Sequence, residues 1–383
     1  MRILLVGDYP PDPRLGSAKV YFKLREEFQR LGHSVELVLG DRLGQSPRNR
    51  LLRWAVSPIL AARAVLKACP RLEGIDVIDA ASAEGLWLGL GRRFSARGRP
   101  ALVARSHGLE HLNYRRMLED HRAGIVPKPW YRRRYYPMVR LSQVRAAAAL
   151  SDRLILLNQG DRDYVKAHNW LPEERVDVIA HGVSERFMMP PIKPDPMRGS
   201  GFLFCGTWDA TKGVHYLARG FERFREQGGK TALTIVGGGW PSALILGTFA
   251  QSTHPYIRVV DRLNEDELMG MYRTHDALLF TSTYEGFGMV VPEAMSQGLP
   301  VIGTSQGIAH SLIRHGITGL LVPARDSEAL AKAMLHLSQS PELRKQLGDS
   351  ARECVASMTW RRTAESTIEC YEKAITQSEG RDR

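Results

Sequence analysis

Short apolar runs recur along the whole chain, and helical patterns separate many of them. The run at residues 277–280 is unbroken, which is typical of a strand that is buried on both faces of a sheet. Between the first two runs, Val20, Leu24, Phe28 and Leu31 follow helical spacing, and Gly32 is expected to end that helix. Strands that alternate with helices predict parallel sheets covered on both faces. The predicted strands lie at residues 3–6, 35–39, 75–80, 101–104, 154–157, 176–179, 202–205, 233–236, 257–260, 277–280, 301–302 and 320–322.

The runs fall into two similar halves, which predict an α/β protein with two doubly wound, Rossmann-like domains. Four prolines within residues 190–196 mark the clearest linker. We therefore expect an N-terminal domain over residues 1–190 and a C-terminal domain over residues 196–359. Ligands of such sheets lie beyond the carboxyl ends of the strands, so a cleft between the domains is the expected binding site.

Composition agrees with this organisation. The 383 residues are 43% hydrophobic and 25% charged, as in a soluble globular protein of two ordinary domains. The four cysteines form no Cys-x-x-Cys, which favours a reducing cytoplasm over a disulfide framework or a zinc site. Residues 3–6 are too few for a signal-peptide core, and no run approaches the roughly 18 apolar residues of a membrane span.

Charge is distributed unevenly between the two halves of the sequence. Residues 1–190 hold 32 Lys and Arg against 20 Asp and Glu, whereas the remaining residues hold 21 of each. The entire net charge of +12 therefore belongs to the first half. Such asymmetry predicts a basic face on one domain and a partner that is anionic or membrane-bound.

Residues 283–295 are the most informative segment. They hold two glutamates, Glu285 and Glu293, eight positions apart on either side of a glycine-containing loop. Pro292 is tolerated in the first turn of a helix, which predicts a helix that starts near Val290. Free backbone N–H groups at such a start attract phosphate, and both carboxylates can accept hydrogen bonds from hydroxyls. The combination suits a nucleotide sugar; the alternative is an ordinary strand-to-helix turn with two solvated acids.

The segment resembles the signature of the retaining GT-B glycosyltransferases of group 1 (family 4 type), in which two glutamates are separated by seven residues. That family includes bacterial mannosyl- and glucosyltransferases of glycolipid and polysaccharide synthesis. The likeness covers almost the whole chain, in the family's order and with conforming spacing. Further segments that resemble the family are residues 178–183, 203–213 and 233–239.

The resemblance implies a donor site in the C-terminal domain. Lys212 would stabilise the leaving diphosphate, Glu285 would bind donor-sugar hydroxyls, and Glu293 would hold the ribose hydroxyls. The last helix, about residues 360–377, would cross back onto the N-terminal domain. Other implied donor contacts are the backbone of Phe287, Gly288, Met289 and Val290, the nucleobase turn at Arg262 and Leu263, and Gly307 near the sugar or phosphate.

Two positions depart from the family pattern. The family has a basic residue, usually Arg, five positions before Lys212, and this chain has Thr207. Arg grips phosphate through a bidentate fork and Thr does not, so either Lys212 and backbone N–H groups suffice or Arg262 replaces the missing cation. The loop after the first strand usually holds two glycines, and here Gly16 is followed by Ser17.

His107 is the candidate of the N-terminal domain. It follows the apolar run 101–104 and precedes a glycine, so it can donate a hydrogen bond to a sugar hydroxyl. The resemblance implies a contact to the donor sugar, and Glu110 would help to orient the site. His107 and His111 are four residues apart like a zinc pair, but the sequence has no His-Glu-x-x-His and no third ligand. We therefore expect no metal there.

These residues predict a metal-independent, retaining hexosyltransferase without a cofactor. It would move a sugar from a UDP- or GDP-sugar to a glycolipid, a polysaccharide or another hydroxyl acceptor. The alternatives are a sugar-nucleotide epimerase of the same fold and a catalytically impaired nucleotide-sugar-binding protein. A phosphorylase, a dinucleotide dehydrogenase and a nucleic-acid-binding protein have no supporting motif. The base, the sugar, the acceptor, the linkage and the oligomeric state are not determined by these patterns.

Two segments of the basic half combine arginines with large apolar side chains, residues 48–60 and 130–136. Aromatic residues favour the lipid headgroup region, and cations are drawn to anionic lipid. These segments predict a peripheral enzyme on the inner face of the cell membrane, with a lipid-linked or polyanionic acceptor. The alternative is that they are solvated helix faces with partly buried aromatics.

Overall fold

The computed structural model describes residues 1–13, 16–44, 47, 49–69, 72–92, 99–127, 131, 134–189 and 201–381. The chain forms two compact units, and each is described by itself. The first contains residues 1–114, 127–182 and 360–383, and the second contains residues 115–126 and 183–359. The predicted linker and the domain boundaries at 190 and 196 lie outside the described residues. No described helix is long and apolar enough to cross a membrane.

The first unit is built on a six-stranded parallel sheet in the order β2-β1-β3-β4-β5-β6. The apolar runs of the first half all form strands, because parallel strands inside a helix–sheet–helix sandwich are buried on both faces. The pairing of β1 with both β2 and β3 makes a switch point at which the chain turns back across the sheet. The strands are β1 (Arg2–Val6), β2 (Ser34–Val38), β3 (Val77–Ala81), β4 (Ala101–Arg105), β5 (Arg153–Leu156) and β6 (Val176–Val178).

Helices connect these strands and cover the sheet. The predicted helix over Val20, Leu24 and Phe28 is present, and Gly32 follows it with a positive φ of 85°. Asn158 caps another helix, since its side chain accepts a hydrogen bond from the backbone N–H of Asp161 at 2.8 Å. The helices are α1 (Gly16–Arg30), α2 (Arg50–Ala68), α3 (Leu86–Gly91), α4 (Glu110–Arg122), a π-helical turn (Pro137–Leu141), α5 (Ser142–Leu150) and α6 (Gln159–Ala167).

The second unit repeats the architecture, with a six-stranded parallel sheet in the order β12-β11-β10-β7-β8-β9. Its switch point lies between β7 and β10, which pair directly. The strands are β7 (Phe202–Cys205), β8 (Leu233–Val236), β9 (Ile257–Val260), β10 (Ala277–Phe280), β11 (Val301–Gly303) and β12 (Gly319–Leu321). The helices are α7 (Glu185–Met188), α8 (Val214–Glu226), α9 (Ser242–Leu246), α10 (Glu265–Thr274), α11 (Val290–Ser296), α12 (Ala309–Leu312), α13 (Ser327–Ser338) and α14 (Pro341–Val355).

The last helix, α15 (Trp360–Arg381), belongs to the first unit. Its Tyr371 donates a 2.6 Å hydrogen bond to Asp79 in β3. Arg105 of β4 also donates to Asp79, at 2.7 and 2.8 Å, and all three side chains are buried. A buried guanidinium is retained only when a carboxylate compensates its lost hydration, so this contact joins the end of the chain to the first sheet.

Candidate functional site

The loops after β7 and β10 lie side by side at the switch point of the second sheet. The backbone N–H of Thr283 donates to the carbonyl of Thr211 at 2.8 Å, and the hydroxyl of Thr281 donates to the carbonyl of Lys212 at 2.8 Å. Gly213 has a φ of 67°, and a Cβ there would lie 2.0 Å from the Thr281 carbonyl oxygen. Only glycine fits this close approach, which fixes the turn that carries Lys212.

Lys212 and Glu285 meet across these loops. The ammonium nitrogen lies 2.5 Å from a carboxylate oxygen of Glu285, and the Ser282 hydroxyl donates to the same oxygen at 3.2 Å. The Lys212 side chain is 27% exposed and the Glu285 side chain 17% exposed. The two charges therefore compensate each other, yet both remain accessible to a ligand with an anionic part and a hydroxylated part.

The segment after Glu285 is held by the loop that follows β11. Gly307 has a φ of 56°, and a Cβ there would lie 2.5 Å from the Phe287 carbonyl oxygen. The next N–H, of Ile308, donates to that carbonyl at 2.8 Å. Gly288 also has a positive φ, of 90°, and it leads through Met289 into α11. The predicted helix start at Val290 is therefore present, with the backbone of residues 287–289 beside Glu285.

Glu293 lies in the first turn of α11 and is buried, with 4% of its surface exposed. The hydroxyl of Tyr272, itself buried, donates to its carboxylate at 3.4 Å. Burial, together with the charge of Glu293, raises the pKa of the Cys205 thiol to about 12. Buried Tyr272 and Glu293 and half-buried Cys205 form a polar cluster at the end of β7.

Thr207 and the turn after β9, at Arg262 and Leu263, lie at the same edge of the second sheet. Thr207 is exposed in the loop after β7, and its methyl group lies close to Gly239 in the loop after β8. Arg262 and Leu263 follow β9, with Arg262 exposed and Leu263 half-buried. The Arg262 charge acts on the Cys205 thiol, so this cation reaches the cluster electrostatically.

His107 follows β4 in the first unit. Its ring packs edge-on against Tyr9 at 5.4 Å and Tyr21 at 5.3 Å between ring centres. Its Nε2 atom is buried and has no hydrogen-bond partner among the described residues. Burial and the nearby charge of Arg105 lower the pKa of His107 to about 3. The imidazole is therefore neutral at physiological pH and holds an unsatisfied polar atom.

A pocket of about 680 Å³ opens in front of His107, entirely within the first unit. It lies beyond the carboxyl ends of β1, β3 and β4, next to the switch point, where ligands of such sheets bind. Its lining residues are Asp8, Tyr9, Pro47, Arg53, Trp54, Ser57, Ser82, Glu84, His107, Gly108, Glu110 and Arg140.

Arg140 organises the inner wall of this pocket. It donates to both oxygens of Glu110 at 3.0–3.1 Å, to the Ser82 hydroxyl at 3.2 Å and to Glu84 at 3.4 Å. Burial opposes ionisation of Glu110, but Arg140 and the hydrogen bonds from Ser82 and Tyr136 outweigh it and lower its pKa. At Glu84 burial prevails and raises the pKa. Ser82 also has a left-handed φ of 48°, a strained conformation of the kind that clusters at functional sites.

Asp8 and Arg53 form the outer wall. Two nitrogens of Arg53 donate to the two oxygens of Asp8 at 3.0 and 3.3 Å. The sequence identified His107 and Glu110 but missed Asp8, Arg53, Glu84 and Arg140. Asp8 and Arg53 are 45 positions apart in the sequence, and Glu84 and Arg140 are 56 positions apart. No local periodicity marks such pairs.

Gly16 begins α1 and is exposed. A Cβ there would meet no described atom within 4 Å, so the protein's own packing does not require glycine at this position. Within the described residues, no group of three or more His, Cys, Asp and Glu side chains is placed to hold a metal ion.

Comparison with known proteins agrees with this geometry. The family described as Glycosyl transferases group 1 matches residues 192–354, and Glycosyltransferase Family 4 matches residues 16–187. The D-inositol 3-phosphate glycosyltransferase of Frankia alni is 26% identical over 260 residues, which are 63% of this chain and 63% of that protein. The match thus spans less than two thirds of that relative's length.

Two solved structures share the fold. Sucrose-phosphate synthase from Thermosynechococcus elongatus has a TM-score of 0.77 at 20% identity, over 97% of this chain and 98% of that one. Anabaena HepE, in complex with UDP and glucose, has a TM-score of 0.66 at 17% identity, over 96% of this chain and 99% of that one. The predicted α/β fold of two Rossmann-like domains is confirmed.

Proposed function

We propose that this chain, which belongs to the group 1, family 4 glycosyltransferases, is a retaining hexosyltransferase that uses a UDP- or GDP-sugar. Membership of the family makes it a glycosyltransferase. The donor class, the stereochemical course and metal independence are the proposed parts. The observation that supports them most directly is the pairing of Lys212 with Glu285 at the switch point of the second sheet.

In this proposal the pair opens to receive the donor. The Lys212 ammonium turns from Glu285 to the diphosphate, and Glu285 accepts hydrogen bonds from sugar hydroxyls. The backbone at residues 287–289 and Val290 adds N–H donors, and Glu293 holds the ribose hydroxyls. Arg262 and Leu263 lie beside the base, and Gly307 lies near the sugar or phosphate. Fixed positive charge that is directed at a developing diphosphate stabilises the transition state without reorganisation.

The bond between the anomeric carbon and the diphosphate oxygen breaks as the acceptor oxygen bonds to that carbon on the same face. The acceptor's proton passes to the departing diphosphate oxygen. His107, neutral and with a free Nε2, donates a hydrogen bond to a donor-sugar hydroxyl, and Gly16 lets the backbone approach the ligand. Lys212 and the backbone N–H groups supply the charge that a divalent metal provides in other enzymes.

The choice of a nucleotide sugar rests on two further supports. Anabaena HepE has the same fold, and its structure contains UDP and glucose. The cluster of donors and carboxylates after β7, β10 and β11 matches a ligand with a diphosphate between two hydroxylated rings. A hexose is proposed because the family that the chain resembles includes mannosyl- and glucosyltransferases.

A thermal-shift panel of UDP-, GDP- and ADP-sugars tests the donor class. A ligand present at 100 times its dissociation constant adds about 2.7 kcal/mol of stability. Analysis of the products with and without acceptor then separates transfer from epimerisation, and NMR of the anomeric proton establishes retention. Stabilisation without any turnover would instead favour a catalytically impaired binding protein. The observation behind this alternative is Thr207, which stands where the family usually has an arginine.

We also propose that the enzyme works on the inner face of the cell membrane. Leu52 in α2 and Met138 in the π-helical turn are 51% and 72% exposed, next to the basic segments. The aromatic side chains Trp54 and Tyr136 pack against each other instead, with 4.8 Å between their ring centres. Residues 48, 130, 132 and 133 of these segments lie outside the described residues. A lipid-linked or polysaccharide acceptor of the cell envelope suits this location.

A further inference from the structure

The pocket of the first unit contains more carboxylates than cations. Its neutral His107 adds no charge, since its pKa is about 3. The charged residues among its lining are Asp8, Arg53, Glu84, Glu110 and Arg140. Each of the two arginines is paired with a carboxylate, so the described lining leaves no cation free for a phosphate.

Each of the three guanidinium nitrogens of Arg140 already donates a hydrogen bond. Its Nε atom donates to Glu110, its Nη2 atom donates to Ser82, and its Nη1 atom donates to Glu84. Only 12% of its side chain is exposed. A phosphate could recruit this guanidinium only by displacing buried carboxylates, which would then lie unpaired, and that is strongly unfavourable.

Arg53 is more exposed, but it is bound to Asp8 through two nitrogens. If Arg53 turned to a phosphate, Asp8 would lose its cation and would face the incoming anion. Like charges at such an interface oppose binding. The outer wall therefore also disfavours a phosphomonoester.

The same carboxylates can accept further hydrogen bonds from hydroxyl groups. The Ser57 hydroxyl lies 3.1 Å from Asp8 and 3.1 Å from Glu84, yet it has a single proton to donate. This proton therefore satisfies only one of the two carboxylates at a time. Hydroxyls of a ring would satisfy these carboxylates, and Trp54 supplies the aromatic surface that small-molecule sites combine with a few polar groups.

We propose that this pocket binds the reacting ring of the acceptor and that this ring is an uncharged polyol, a sugar or a cyclitol without a phosphomonoester. The inference rests on the proposed glycosyl transfer and narrows its acceptor. It separates this chain from relatives whose name specifies D-inositol 3-phosphate, which is a phosphomonoester. It also favours a neutral acceptor ring over a polyanionic one.

The test uses the full chain and matched pairs of rings: myo-inositol with D-inositol 3-phosphate, glucose with glucose 6-phosphate, and N-acetylglucosamine with its 6-phosphate. Direct binding is measured by calorimetry in the presence of the nucleoside diphosphate selected by the thermal-shift panel, and turnover is measured by mass spectrometry. Wild type is compared with Asp8→Asn and with Asp41→Asn, an exposed acid of the first unit outside the pocket.

We expect wild type to prefer the unphosphorylated member of at least one pair by about tenfold or more. Asp8→Asn releases Arg53 and should reduce that preference about tenfold, whereas Asp41→Asn should leave it unchanged. A wild-type preference for the phosphorylated members, or failure of every ring to bind, overturns the assignment. Donor binding and donor hydrolysis without acceptor report separately on the proposed function, so the two failures are distinguishable.

Discussion

The ammonium of Lys212 and the carboxylate of Glu285 lie 2.5 Å apart although 73 positions separate them in the sequence. The pairing exists because β7 and β10 are neighbours, so the loops at their carboxyl ends share one edge of the sheet. In the proposed function, this contact places a cation for the diphosphate next to a hydroxyl acceptor for the donor sugar. It is the basis of the first prediction.

Loss of Lys212 or Glu285 should impair chemistry while the fold is retained. Removal of one group that stabilises transition-state charge costs on the order of a hundred- to a thousandfold in rate, and we expect this for Lys212→Ala. Glu285→Gln should lose at least about tenfold, because one ionic hydrogen-bond acceptor becomes neutral. Steady-state kinetics with circular dichroism as fold control is the measurement, and the exposed Lys230→Ala is the matched control. Near-normal turnover in both site variants would refute the assignment.

Gly213→Ala should weaken the turn that presents Lys212. The added Cβ would lie 2.0 Å from the Thr281 carbonyl oxygen, in a residue with a φ of 67°. Gly228 has a similar φ of 86° but open space around it, so Gly228→Ala isolates the conformational cost. We expect Gly213→Ala to lose about 1–3 kcal/mol more than Gly228→Ala in denaturant unfolding. Equal losses of stability in the two variants would show that the close approach of Gly213 to the Thr281 carbonyl is unimportant.

Turnover should persist without a divalent metal, because in the proposed function Lys212 and backbone N–H groups bind the diphosphate. The sequence has one Asp-x-Asp pair, Asp161 and Asp163. Asp161 is buried in the first turn of α6, where its backbone N–H is bonded to Asn158, so this pair is not an open metal site. Activity in excess EDTA is the assay. Activity that is abolished by EDTA and restored by Mn²⁺ would contradict the prediction.

Asp161 should make the protein less stable as pH rises. Burial raises its pKa to about 7, against the hydrogen bonds from Asn158 and Leu109 that lower it. The folded state therefore binds the proton more tightly than the unfolded state, and stability is lost as pH rises from about 4 to about 7. Asp161→Asn should gain on the order of 2–4 kcal/mol relative to wild type between pH 4.5 and pH 8. The exposed Asp163→Asn serves as control in thermal unfolding, and a pH-independent difference for Asp161→Asn would exclude the effect.

Membrane association should depend on the basic segment of the first unit. Each Lys or Arg near an anionic surface contributes about 1 kcal/mol. Liposome sedimentation should therefore increase with anionic lipid, fall with salt and weaken when Arg132, Arg133 and Arg134 become Ser. The matched control removes three exposed cations of the second unit, Arg219, Lys332 and Lys345. Equal recovery on neutral and anionic liposomes at low salt would favour a soluble acceptor.

The sequence by itself determined the elements of the fold and, through the resemblance, the residues that are proposed for the donor site. Each of the twelve predicted apolar runs forms a strand, because strands that helices cover on both faces are rich in apolar residues. The start of α11 at Val290 followed from the tolerance of the first helical turn for proline. Lys212 and Glu285 were identified by resemblance, since a charged residue in a loop carries no periodic signal of its own.

The tertiary structure alone decided which of these residues meet. Local propensity does not determine strand order, so the contact of Lys212 with Glu285 could not be read from either segment. The ion pairs of Asp8 with Arg53 and of Glu84 with Arg140 are likewise products of the switch point in the first sheet. Charge pairs at such separations have no sequence signature, because burial and the topology of the sheet, rather than spacing along the chain, bring them within hydrogen-bonding distance.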